Sequence, residues 1–405
     1  MIFRDLYINK IKPFMDKDIV KVMTGIRRCG KSVMLQLIQE ELVNQGKNRE
    51  DMLSINFESK QLPFTKNVDD AYQYVKEFVI SRNTSKVYLF FDEIQDLPGW
   101  EEMVNALMID FKVDIYLTGS NAKMLSGELA TYLGGRYIEI KIYPFSFSEV
   151  MQIYRENGVE VSEEEAFLHY ITYGGMPFLY QYHIEEQPAM EYLQDVFNSI
   201  ILKDVTQRNQ IRDIALFTKL MMYFVFGIGN PYSASGIQKY LKSEGRGIST
   251  ETIYNYIDYC KQACLLHLVP REELIGKRIL QFQEKIYLTD HGIREAFYGN
   301  NMGDIGQVLE NIVYMELLRR GYEITVGKNG NWEIDFSAKK GNQKLYVQVA
   351  YLLATDETVE REFRSLETIP DNYPKYVVTM DAIDRSRNGI KHVNIRKFLQ
   401  MKSFE

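Results

Sequence analysis

Short apolar runs, rich in β-branched and aromatic residues, recur along the first third of the chain at 19–24, 52–57, 87–91, 114–118 and 137–142, with helix-patterned segments between them. Such an alternation predicts a five-stranded parallel sheet with helices on both faces. Past Pro144 the pattern becomes helical. Residues 162–198 carry apolar and aromatic positions at mixed spacings of three and four, interrupted by Gly174-Gly175-Met176-Pro177, and predict a small helical lid. From 211 onward three helical segments precede two strand-like runs, 265–269 and 285–289, with a charged loop between them, the order of a winged helix. The last stretch predicts a helix at 307–320, strands near 323–326, 332–338 and 344–350, a helix near 358–367 and a strand at 376–380, a second small α/β domain. The expected organisation is multidomain α/β, with a sheet core at 1–150, a lid at 151–205, a winged helix at 206–295 and a C-terminal domain at 296–405.

The first strand run leads into VKVMTGIRRCGKSVMLQLIQEEL, where Gly-x-x-x-x-Gly-Lys-Ser runs from Gly25 to Ser32 and a helical pattern follows at once. That context marks a phosphate-binding loop. Gly25 and Gly30 let the backbone curl so that the amides of the loop, Gly25, Ile26, Arg27, Arg28, Cys29, Gly30, Lys31, Ser32 and Val33, face the phosphates of ATP at a helix N-terminus. Lys31 reaches the β/γ oxygens and the Ser32 hydroxyl ligates Mg²⁺. Cys29 is read as a small residue filling the loop, without a redox role.

In VYLFFDEIQ five apolar residues precede Asp92 and Glu93, as expected of a central strand delivering two acids at its carboxyl edge. Asp92 is expected to hold Mg²⁺ through water and Glu93 to polarise the attacking water. Asp-Glu after a strand also begins many solvated loops; the upstream phosphate loop favours the catalytic reading. The next strand run ends in Thr118, Gly119, Ser120 and Asn121, which places Ser120 and Asn121 to reach the γ-phosphate or the catalytic water. Arg136, before the last core strand, has two readings: a finger acting on a neighbour's nucleotide in a homo-oligomer, or a strand-edge salt bridge.

A chain of 405 residues exceeds one compact core, and 45% hydrophobic with 25% charged residues is an ordinary globular balance. A net charge of -7 advertises no large basic surface for duplex DNA, though it leaves room for a local patch. The three cysteines, Cys29, Cys260 and Cys264, form no pairing framework and suit a reducing compartment. No apolar run approaches the roughly 18 residues of a membrane span, so the expectation is a cytoplasmic protein without a membrane partner.

Gly25 to Ser32, Phe91-Asp92-Glu93, TGSNAKML, LGGR, YPFSFSEV at 143–150 and GGMP at 174–177 together resemble the AAA-type prokaryotic P-loop ATPases that carry a C-terminal domain of unknown function. The resemblance covers nearly the whole chain. It implies a core of strand order 5-1-4-3-2, a lid in which Gly175 and Pro177 lie near the base or phosphate, and a C-terminal module similar to restriction endonucleases. The GGMP run is also similar to the lid motif of signal-transduction ATPases that use nucleotide as a switch.

Ser249 and Thr250 cap a candidate recognition helix that carries Glu251 and Asp258 against Lys261, a poor composition for reading a major groove. Basic residues lie at Lys239, Lys242 and Arg246 before it and at Lys277, Arg278 and Lys285 in the wing. This leaves DNA contact through phosphates and an internal packing role both open. Cys260, Cys264 and His267 fall at helical spacing on one face and are read as core, not as a metal site. In the C-terminal module Glu310, Asp335 and Gln348 follow the acid order of metal-dependent endonucleases. The lysine expected two residues after Gln348 is Ala350, which argues for a binding or assembly domain that does not cleave. Arg361 or Arg364 are the candidate replacements. Three functions follow: an ATPase or nucleotide switch acting on DNA or a protein partner, an ATP-regulated nuclease, or a nucleotide-gated scaffold without nucleic acid.

Overall fold

The computed structural model describes residues 2, 4–120, 133–181, 185–274 and 278–404, with the backbone alone for 278–283. The chain divides into two compact units, 1–143 with 262–264, and 144–261 with 265–405.

The first unit opens with helix α1 (Asp5–Ile11), strand β1 (Val20–Thr24), α2 (Lys31–Asn44), β2 (Met52–Asn56), α3 (Val68–Ser81), β3 (Val87–Asp92), α4 (Trp100–Asp110), β4 (Val113–Gly119) and β5 (Tyr137–Lys141). All strand pairs are parallel and the order is β2-β3-β4-β1-β5, the arrangement 5-1-4-3-2 seen from the other edge. β1, β3 and β4 are buried along their whole length, because helices cover both faces. Even Lys21 is fully buried. It pairs with Asp114 on the neighbouring strand, and Tyr116 and the Asp16 amide donate to the same carboxylate at 2.8 and 2.9 Å. Burial pulls Lys21 below the usual lysine range and Asp114 opposes it. Register then decides the site: Thr24 lies opposite Gly119 and Asn56 opposite Asp92, so polar residues gather at the carboxyl ends of four strands.

The second unit begins with α5 (Phe147–Glu156) and α6 (Glu163–Tyr173), each opened by a reciprocal Ser/Glu capping box, Ser146 with Glu149 and Ser162 with Glu165. There follow α7 (Phe178–Gln181), α8 (Glu186–Ser199), which runs on as a π-helical stretch Ile200–Gln207, then α9 (Ile214–Phe226), α10 (Ala234–Ser243) and α11 (Thr250–Gln262). Next come β6 (Leu266–Glu273), β7 (Arg278–Leu288), α12 (Gly292–Tyr298), α13 (Ile305–Arg319), β8 (Glu323–Asn329), β9 (Trp332–Lys340) and β10 (Gln343–Val349). The chain closes with α14 (Asp356–Glu367), β11 (Lys375–Thr379), β12 (Ile390–Asn394) and α15 (Ile395–Gln400).

Strands β6 to β12 form one seven-stranded sheet in the order β12-β11-β10-β9-β8-β6-β7. The hairpin expected to finish a separate winged helix is longer than the apolar runs indicate, and β6 pairs in parallel with β8 through Arg271, Glu272 and Glu273. A division at 295/296 therefore cuts through a continuous sheet. The charged residues of this shared stretch hide it from a hydrophobicity reading, because they are matched inside the sheet: Glu272 is buried and takes Lys339 and Thr325 as partners. Two further points differ from expectation. α11 ends at Gln262, Cys264 adopts a left-handed backbone (φ 56) and His267 lies in β6, so Cys260, Cys264 and His267 do not share a helical face. Lys285 is buried and offers no wing charge, while Lys277 lies outside the described residues.

The GGMP turn is buried between α6 and the end of β7. The Gly175 amide donates to Asp290 at 2.7 Å and its carbonyl accepts from Phe145 at 2.7 Å. A side chain at Gly175 would meet the Phe145 carbonyl at 2.2 Å, so only glycine fits. Burial raises the Asp290 carboxyl to about 7, with the amides of Gly175 and Gly292 opposing that rise. A folded-state pKa above the unfolded 3.8 means that Asp290 favours the fold fully below about 3.8, and that this contribution is lost as pH rises through about 7. We expect the thermal midpoint of the wild type to fall between pH 6 and 8 more steeply than that of Asp290→Asn; parallel profiles would remove Asp290 as the titrating group.

Candidate active site

The loop after β1 is shaped by close contacts. A Cβ on Gly25 would lie 2.2 Å from the Ile142 carbonyl and 2.9 Å from Cys29 Sγ. Arg28 and Gly30 take positive φ, 69° and 98°, and Gly30 starts α2 with no side chain capping it. The helix N-terminus is thus left to its own amides, which suits a phosphate ligand. Cys29 fills the loop: its thiol donates to the Ile142 carbonyl at 3.3 Å, and burial pushes its pKa up, with Lys31 and Arg4 opposing. It is a packing residue, not a reactive thiolate. Arg4, also buried, donates to the carbonyls of Cys29 (3.3 Å) and Tyr143 (2.9 Å) and so ties the loop to the end of the sheet.

Lys31 is buried and donates to the carbonyls of Gly25 (3.2 Å) and Ile26 (3.4 Å), with Glu93 Oε1 3.4 Å from its ammonium. Burial alone would lower its pKa; the neighbouring Glu93 carboxylate reverses that and holds it above the usual range. Asp92 ends β3. Its Oδ1 accepts from Thr118 Oγ1 at 2.5 Å and its Oδ2 from Asn56 at 3.0 Å, and Ser32 is a further hydrogen-bond partner. Burial, reinforced by Glu93, raises the Asp92 pKa despite those donors and Lys31. Glu93 sits in a left-handed conformation (φ 48) that a non-glycine residue adopts only under constraint. The constraint is its amide, which donates to Thr118 Oγ1 at 2.9 Å. Gln95 donates to Glu93 Oε2, and although burial would raise the Glu93 pKa, Lys31 and Gln95 bring it below the ordinary value.

Two adjacent buried carboxylates facing one lysine leave negative charge that a divalent cation would relieve, so the donor set fits Mg²⁺ held by Ser32 and Asp92. The structure brings Gly25 to Val33, Asp92 and Glu93 together. Ser120 follows β4 and is buried, while Asn121 lies outside the described residues. Arg136 is turned onto its own unit, donating to Asn105 at 3.1 Å and the Leu133 carbonyl at 3.3 Å. Gly175 and Pro177 belong to the second unit. Sequence reasoning missed Arg4, Asn56 and Gln95; Thr118, expected with the other polar residues of its strand edge to meet the γ-phosphate or the catalytic water, holds Asp92 and the Glu93 amide. Asn56 carried a usable signal, a polar residue at the carboxyl end of a strand.

In the second unit Glu310, Asp335 and Gln348 do converge: the Asp335 amide donates to Gln348 Oε1 at 3.3 Å, and Glu310 and Asp335 share a cation. That cation is Lys285, not Arg361 or Arg364. Arg361 pairs with Glu362 and Arg364 lies over the Trp332 ring.

Residues 17–151 match a family described as an AAA domain, and residues 164–304 match a domain family of unknown function. The chain is 37% identical over 401 residues to an uncharacterised protein of Haemophilus influenzae, covering 98% of each. It is 30% identical over 417 residues to one of Methanocaldococcus jannaschii, covering 98% of this chain and 90% of that one. A Walker-type ATPase of Pyrococcus abyssi shares the fold, with a TM-score of 0.51 at 16% identity over 73% of this chain and 95% of that one.

A phosphate bound at this loop would compete with Glu93 for the Lys31 ammonium. Lys31→Ala should weaken ATP binding by roughly 10- to 150-fold, the worth of a charged hydrogen bond of about 1.5–3 kcal/mol. Glu93→Gln should bind at least as tightly as wild type. Titration calorimetry with ATP and Mg²⁺ checks both, and unchanged affinity in Lys31→Ala would remove Lys31 from the phosphate site.

Proposed function

We propose that the chain, whose residues 17–151 match an AAA domain, is an AAA-type P-loop ATPase that binds ATP with Mg²⁺ at the loop of Gly25 to Val33 and hydrolyses it, using turnover as a switch on DNA or a protein partner. The observation that carries this reading is Glu93: a carboxylate at the end of β3, turned left-handed by Thr118, kept ionised by Lys31 and placed one residue past the acid of the cation site.

Mg²⁺ supplies charge neutralisation for the transferring phosphoryl group. The loop amides bind and orient the phosphates, and Lys31 leaves Glu93 to pair with their charge. Glu93, so released, accepts a hydrogen bond from the attacking water and takes its proton as the terminal phosphate leaves. Thr118 and Asn56 orient Asp92, and Ser120 would extend the same edge toward the γ-phosphate; Asn121, assigned beside it from the sequence, lies outside the described residues. Arg136 would act on a neighbouring copy's nucleotide once freed from Asn105. Glu93→Gln should reduce ATP turnover by about 10²–10⁴-fold while nucleotide stays bound; equal turnover in this variant and wild type would end the assignment of Glu93 as base.

DNA is the partner favoured by one surface, where Lys239, Lys242 and Arg246 on α10 and the loop after it are all exposed. Glu251 and Asp258, exposed on α11, oppose base reading there. Binding through phosphates should weaken steeply with salt and discriminate little between sequences, and Lys239→Ala with Lys242→Ala should lower the salt slope by about 1 each. A fluorescence-anisotropy series in NaCl tests this. No binding at low salt would turn the reading to a protein partner or a scaffold.

A further inference from the structure

Lys285 is buried in the second unit and surrounded by carboxylates from other elements: Glu310 Oε1 on α13 at 2.8 Å, Glu333 Oε1 on β9 at 3.0 Å and Asp335 Oδ1 on β9 at 3.6 Å. Tyr287, two residues on along β7, donates its hydroxyl to the same Glu310 oxygen. Arg271 of β6 takes the other oxygen of Glu333, and the Val349 amide donates to Asp335 Oδ2 at 2.8 Å. The backbone that delivers Lys285 is fixed on both sides. It pairs with Val269 of β6, bridges Pro231 on the outer edge, and is flanked by bonds from the Gly229 amide to Ile286 and the Tyr232 amide to Glu284. Burial would lower the lysine's pKa, but Glu310, Asp335 and Glu333 hold it well above the usual range.

We propose that Lys285 is the built-in cation of this carboxylate site, that it closes the site to divalent metal, and that neutralising it opens a site for a cation of the Mg²⁺/Mn²⁺ class. Charge is the reason. With Lys285 removed, Glu310, Glu333 and Asp335 lose the one ammonium they share, while Arg271 pairs with Glu333; a cation taken up between Glu310 and Asp335 would replace the lost charge. Oxygen donors are the right type for a hard cation, and Gln348 Oε1 adds a neutral oxygen beside Asp335. Asp335 is buried and cannot stay ionised there without a counter-charge, so loss of the lysine leaves it to take up a proton or to share a metal with Glu310. The cation that Ala350 cannot supply from β10 thus arrives from β7, across the sheet, as a tethered group in place of a metal.

The test is Mn²⁺ binding to the full chain by equilibrium dialysis, in wild type, Lys285→Ala, Lys285→Arg, Asp335→Asn and the Lys285→Ala/Asp335→Asn double variant. Mn²⁺ at the ATP site is common to all five and serves as the baseline. Lys285→Ala should take up one Mn²⁺ per chain above wild type, the double variant should lose that increment, and Lys285→Arg, which keeps the charge, should show none. Wild-type uptake that Asp335→Asn removes would overturn the proposal, as would a folded Lys285→Ala with no increment. Should Lys285→Ala fail to fold in EDTA, recovery of cooperative unfolding on adding Mn²⁺ supports the proposal, and no recovery overturns it.

Discussion

Buried charge without a partner costs several kcal/mol, and in both units that cost is met by a lysine set among carboxylates. In the first unit Lys21 faces Asp114 in the middle of the sheet, and Lys31 faces Glu93 at its edge. In the second, Lys285 faces Glu310, Glu333 and Asp335. The first pair is sealed, the second opens toward the loop that starts α2, and the third is enclosed by strands. Removing one member of such a pair costs about 3–5 kcal/mol, because it strands the other. The phosphate loop depends on this constraint directly: Lys31 is tied to the carbonyls of Gly25 and Ile26 as well as to Glu93, so the same ammonium that meets phosphate also shapes the loop.

Parallel register turns that compensation into a site. Asn56, Asp92 and Thr118 come from three adjacent strands and end at one level, so Thr118 can donate to Asp92 and accept from the amide of Glu93 at once. One hydroxyl therefore orients the acid of the cation site and forces the left-handed turn that aims the next residue. The second unit shows the same economy at Asp290, whose carboxylate joins the GGMP turn to the start of α12 through the Gly175 and Gly292 amides. No side chain fits at Gly175, which accounts for the glycine by packing as well as by any contact with nucleotide.

What the sequence determined by itself was local. Gly25 to Ser32 needs a strand before it and a helix after it, and both are written within a few residues. Asp92 and Glu93 follow an unbroken apolar strand, so their edge position needs no knowledge of neighbours. The strands were legible for a related reason: β3 is buried on both faces and apolar up to Asp92, while the edge strands β2 and β5 alternate apolar with polar positions. Only the tertiary structure decided Arg4, which reaches Cys29 and Tyr143 from the far end of the unit, and the roles of Asn56 and Thr118, which exist only through parallel register. It also decided the seven-stranded sheet and its buried lysine. Arg271, Glu272, Glu273 and Lys285 read as a solvated loop and wing because their charges break the apolar pattern. Glu272 and Lys285 are buried and Arg271 half-buried, matched by Lys339, Glu310 and Glu333, which lie about 25 to 67 residues away. Charge compensation across a sheet leaves no periodicity in one strand, and that is why it had to be seen in three dimensions.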